Sequence, residues 1–119
     1  MRKVLKIAVF VLICAASGRA DAGAANCESL AALKLADTTI TLAQAVPPNQ
    51  FTPPRNGSKP VPVAFCRVVG KIKPTGDSDI GFELWLPAAG WTGRYESVGN
   101  GGFAGSIRYD SMLNPLLGP

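Results

Sequence analysis

The chain has 119 residues, 47% hydrophobic and 17% charged, with a formal net charge of +4 and no histidine. That length holds one small domain or a piece of a larger one. Without histidine, the chain supplies no Ser-His-Asp triad, no Cys-His dyad and no histidine metal site.

Residues 1–22 read as a secretory signal. Arg2, Lys3 and Lys6 form a basic start, Ile7 to Ala16 is an apolar stretch too short to span a bilayer, and Ala20-Asp21-Ala22 offers small residues for cleavage. An N-terminal membrane anchor is the alternative. Cleavage after Ala22 leaves 97 residues and removes four cations (with Arg19) and one acid, so the net charge falls from +4 to +1. A near-neutral mature chain gives no basis for nucleic acid as a partner, and none for a membrane once the signal is gone. Cys14 leaves with the signal. Cys27 and Cys66 remain, too few for a thiolate zinc site. In an exported chain such a pair reads as a disulfide, with two free thiols as the alternative.

In chain order, "CESLAALKLA" (27–36) has apolar residues at 30, 31, 33 and 35 and predicts a short helix. "TTITLAQAV" (38–46) alternates around Ile40 and Leu42 and predicts a strand. "PPNQFTPPRNGSKPVP" (47–62) carries six prolines and a turn at Asn56-Gly57, which predicts a surface loop. Asn56-Gly57-Ser58 matches a glycosylation sequon. "VAFCRVVGKIK" (63–73) is rich in β-branched residues and predicts a second strand. After a turn at 74–79, "IGFELWLP" (80–87) sets Ile80, Phe82, Leu84 and Leu86 on one face and Glu83 and Trp85 on the other, ending at Pro87. "AAGWTG" turns the chain, and "RYESVG" (94–99) predicts one more short strand. Ser106 to Leu113 opens a helix that Pro115 ends. The local expectation is a β-meander with one short N-terminal helix, a thin core and edges that invite pairing with more chain.

The meander runs into "SVGNGGFAGSI" (97–107). Gly99-x-Gly101-x-x-Ala104 fits the dinucleotide fingerprint, but that motif needs a following helix and a distant acid. A phosphate-binding P-loop is excluded, because no Gly-Lys-Ser/Thr follows. A structural turn is a second reading. A third is an oxyanion hole, where bare backbone lets a substrate approach a main-chain N–H closely.

The ordered set of Cys66 at a strand, Ser78-Asp79-Ile80, Phe82-Glu83-Leu84-Trp85-Leu86-Pro87, Trp91-Thr92-Gly93-Arg94 and Gly99-Asn100-Gly101-Gly102-Phe103-Ala104-Gly105, with Cys27 upstream, resembles the tannase and feruloyl esterase family. That family also includes the hydrolase of mono(2-hydroxyethyl) terephthalate. The resemblance covers residues 27 to about 113, whereas "LNPLLGP" departs from the family's next segment. It implies an α/β-hydrolase fold, of which residues 23–119 would be the N-terminal part, and a secreted or periplasmic serine esterase for aromatic or phenolic esters. It also implies a Ser-Asp-His triad beyond position 119 and a calcium-binding lid, with no cofactor in this segment. Carried onto this chain, the oxyanion donor is the Gly102 N–H, with Gly101 as loop support. Family members are several times longer, so a truncated or partial sequence, inactive alone, is expected. A secreted, non-catalytic β-rich binding or structural module is the competing reading.

Overall fold

The computed structural model describes residues 26–102 and 104–118; the expected signal peptide and Phe103 lie outside them. Three strands, β1 (Thr38–Val46), β2 (Phe65–Ile72) and β3 (Ile80–Pro87), form one antiparallel sheet in the order β1-β2-β3, and α1 (Tyr109–Leu117) follows. Val46 pairs with Phe65 and Phe65 with Pro87, and two positions along, on the same face, Gln44, Arg67 and Trp85 make another rank. The register shifts between Ile40 and Leu42, where the Thr41 hydroxyl donates to the Val69 carbonyl at 3.2 Å. Such a bulge adds one residue to a strand and bends it. β2 tolerates Gly70 because the Phe82 ring lies across it: a Cβ there would sit 2.5 Å from the ring.

The expected helix over 27–36 is instead a six-residue 3-10 turn, Cys27–Ala32. Asn26 caps it by accepting from the Glu28 N–H, and Leu33 is already extended. Leu33 and Leu35 are exposed, so no apolar stripe holds a longer helix in place. The turn is fixed at its start, where Cys27 is disulfide-bonded to Cys66 across a sequence separation of 39, and at Glu28, whose carboxylate accepts the Ala45 N–H at 3.0 Å. Closing that loop stabilises the fold by up to about 4 kcal/mol in the chain-entropy picture. Thiol titration of unreduced, denatured protein lacking residues 1–22 should find neither cysteine free; two reactive thiols would contradict the bond.

The main buried cluster lies on the opposite face of β3 from the one its apolar alternation suggests, although Val68, paired with Leu84 on the apolar face, is also buried. Trp85 is buried with Val46, Val61, Phe65 and Leu116, whereas Ile80 and Leu86 are exposed. The proline-rich stretch explains this, because it is not merely a surface loop. Its Val61 is 1% exposed, held by Asn49 N–H donating to the Val61 carbonyl at 2.7 Å and Val61 N–H donating to Phe51 at 2.8 Å. Phe51, Val61 and Val63 therefore close over Trp85 and Phe65 from one side, and Met112, Leu113 and Leu116 of α1 from the other. α1 also runs through Pro115, which the sequence marks as a stop. Pro115 stands in the last turn, where it forfeits one backbone bond while Leu116 behind it reaches the core.

Candidate active site

The glycine-rich stretch belongs to the irregular segment joining β3 to α1. After Pro87 the chain makes one more backbone bond to the sheet, Ala88 N–H to the Ala64 carbonyl at 3.1 Å, and then leaves it. Gly90 and Gly93 turn it with positive φ, and the Trp91 indole donates to the Arg94 carbonyl at 3.2 Å. The strand expected over 94–99 does not form. Every residue from Arg94 to Gly99 is exposed, and a run without an apolar face or a ladder partner gains nothing from extension.

Gly101 and Gly102 are both exposed, and a Cβ built on either would meet nothing within 4 Å among the described residues. Gly102 has φ +58 and Gly105 φ +57, the left-handed region that costs an ordinary side chain roughly 1–2 kcal/mol. The chain thus reverses at Gly102 with open space beside its main chain.

Glu83 anchors both flanks of this segment. Its side chain is 2% exposed yet fully partnered. Arg67 donates through Nε at 2.6 Å and Nη2 at 3.1 Å, the Trp85 indole at 2.7 Å and the Tyr109 hydroxyl at 3.0 Å. The Arg67 guanidinium also stacks 4.3 Å above the Phe51 ring. The bond to Glu83 raises the Arg67 pKa, and burial raises that of the Tyr109 phenol, with its bond to Glu83 adding to the shift. β2, β3, the proline-rich stretch and α1 meet at one carboxylate. In the sequence the only hint of this was an acid inside an otherwise apolar strand.

A surface hollow of about 410 Å³ lies between Arg55 and the start of α1. Asp110 takes ion pairs there from Arg55 at 3.1 Å and Arg108 at 3.5 Å, and Arg108 lowers its pKa. A second hollow, of about 480 Å³, lies beside Lys71 and Lys73, both paired with Asp79. Neither includes Gly101 or Gly102 in its lining. Among the described residues no three acidic or cysteine side chains gather to hold a metal ion, and no helix is long and apolar enough to cross a membrane.

The anticipated residues thus occupy two places. Cys27 and Cys66 are joined where β2 begins, and Gly101 and Gly102 follow β3 in the exposed segment.

A family model described as tannase and feruloyl esterase matches residues 66–118, so the match extends through the tail that the motif comparison leaves out. An uncharacterized esterase of Xanthomonas campestris pv. campestris is 50% identical over 88 residues, covering 74% of this chain and 15% of that protein. Feruloyl esterase C of Talaromyces stipitatus is 40% identical over 77 residues, 63% of this chain and 13% of that protein. A probable feruloyl esterase B-2 of Aspergillus fumigatus is 32% identical over 117 residues, 92% of this chain and 22% of that protein. The chain therefore spans less than a quarter of each of these relatives. No solved structure matches it. Over residues 66–118 the chain belongs to the tannase and feruloyl esterase family.

Proposed function

We propose that the chain is the N-terminal part of an exported α/β-hydrolase that cleaves esters of aromatic or phenolic acids by a serine mechanism. The observation that carries the reading is Gly102: a left-handed glycine inside the family match, with nothing among the described residues within 4 Å of the position a side chain would take. An ester carbonyl can approach such a backbone N–H closely. As the serine adds to the carbonyl, negative charge gathers on the oxygen, and an N–H already pointed there lowers the barrier by roughly 2.7–4 kcal/mol. Gly101, also without a side chain, leaves the approach clear. The second donor and the Ser-Asp-His triad would come from chain beyond residue 119. The Cys27–Cys66 disulfide favours an oxidising, extracytoplasmic location.

Two proteins test this. The isolated chain should not hydrolyse methyl ferulate, since half an oxyanion hole lacks nucleophile and base. Replacing the matched segment of the Talaromyces feruloyl esterase C with this chain's segment should leave a folded enzyme that does. Turnover by the isolated chain above contaminant controls, or a folded chimaera with no activity, would overturn the reading.

A further inference from the structure

We infer that Asn100-Gly101 is a site of spontaneous backbone modification, where Asn100 closes to a succinimide and opens to aspartate and isoaspartate. The Gly101 backbone nitrogen loses its proton to solvent base and attacks Cγ of the Asn100 carboxamide. The new N–Cγ bond forms as the Cγ–NH₂ bond breaks and ammonia leaves. Water then opens the five-membered ring at the side-chain carbonyl, giving aspartate, or at the main-chain carbonyl, giving isoaspartate. No oxidant or second protein is needed.

The fold leaves this reaction unobstructed. Asn100 and Gly101 are exposed and lie outside any helix or strand. Among the described residues the Gly101 N–H makes no backbone hydrogen bond, and nothing lies within 4 Å of where a Gly101 side chain would be. The chain contains a second Asn-Gly pair, Asn56-Gly57, and the structure separates the two. There the Ser58 N–H donates to the Arg55 carbonyl at 3.1 Å across the pair, and Gly57 has φ +79, the pattern of a type II turn. Ring closure must rotate the asparagine Cα–C bond until the glycine nitrogen faces Cγ, and at Asn56 that rotation breaks the turn. The net worth of one such hydrogen bond makes Asn100 react about 2- to 10-fold faster than Asn56.

The consequence for Gly102 rests on the oxyanion reading above, but the modification does not. Either product puts a carboxylate two residues before the Gly102 N–H, and isoaspartate also lengthens the main chain by one carbon. Both oppose a developing negative charge at that amide.

The test is incubation of the disulfide-bonded chain at mildly alkaline pH, followed by peptide mapping that separates asparagine, aspartate and isoaspartate. Isoaspartate should accumulate at Asn100 ahead of Asn56, and Asn114, followed by a proline with no N–H, should stay intact. Gly101→Ala should slow Asn100 and leave Asn56 unchanged. This substitution is unstrained, because Gly101 lacks positive φ and has room for a Cβ. In urea, where the turn is lost, the two rates should converge. Conversion at Asn56 as fast as at Asn100 in the folded chain, or a rate gap that persists in urea, would overturn the inference. Because the readout is chemical, its failure leaves the esterase reading untouched, and loss of esterase activity in the chimaera leaves the inference standing.

Discussion

Gly102→Val, placed in the active chimaera with the Talaromyces enzyme, should lower kcat/KM by about 100- to 1000-fold, the cost of one lost oxyanion donor. Valine is branched at Cβ and avoids the left-handed region that Gly102 occupies at φ +58. The peptide must rotate, and the N–H turns with it. Stability should fall by roughly 1–2 kcal/mol, the cost of a side chain in the left-handed region, with no clash added, because the position is exposed and a Cβ there meets nothing within 4 Å among the described residues. Gly105→Val is the matched control, since Gly105 has φ +57 and the same open surroundings. It should suffer comparable backbone strain without the activity loss. Measuring kcat/KM and melting midpoint on both variants separates a donor from a turn. Equal losses of activity would assign Gly102 to the turn alone.

Glu83→Ala should destabilise the fold by about 3–5 kcal/mol, the range for removing one partner of a buried ion pair. It strands the Arg67 guanidinium, the Trp85 indole N–H and the Tyr109 hydroxyl together. Against a total stability of about 5–15 kcal/mol for a domain, that is a large share of the margin. Tyr109→Phe keeps the ring beside Trp85, at 6.0 Å between centroids, and loses one hydrogen bond, so about 1 kcal/mol is expected. Urea melts followed by tryptophan fluorescence check both. A Glu83→Ala midpoint within error of the parent would remove the carboxylate from the centre of the fold. The raised Tyr109 pKa gives a pH signature. Its contribution is whole below the ordinary phenol pKa of about 10 and is lost as pH rises through the higher folded value. Stability should therefore fall more steeply with pH above about 10 in the parent than in Tyr109→Phe, which has no phenol to ionise.

The three strands were legible because period-2 alternation and bounding turns are local signals: β1 and β3 have the expected limits, and β2 is shorter by a few residues than the stretch from Val63 to Lys73. The choice of face was not legible. Alternation in "IGFELWLP" separates two faces but does not say which one Phe51, Val61 and α1 will cover, a choice made by residues up to 34 positions away. The N-terminal helix failed because its start is tied by Cys27 and Glu28 while Leu33 and Leu35 find no cover. The strand at 94–99 failed for want of a neighbour. Of the candidate site, the glycines could be read from the sequence, whereas the carboxylate holding their flanks could not. An acid at Glu83 on a mostly apolar strand reads as solvent-facing until Arg67, Trp85 and Tyr109 converge on it.

The Tyr109–Glu83 bond closes a ring of chain across a separation of 26 residues. The entropy of closing such a ring grows only logarithmically with its length, so doubling the segment would add about 0.6 kcal/mol. α1 docks through Tyr109, Met112, Leu113 and Leu116, none of which lies inside the ring's irregular portion. The stretch between β3 and α1 can therefore gain or lose residues over evolutionary time at little thermodynamic cost. Its length is free to follow the shape of whatever must reach the glycines, while the clasp holds both ends in place.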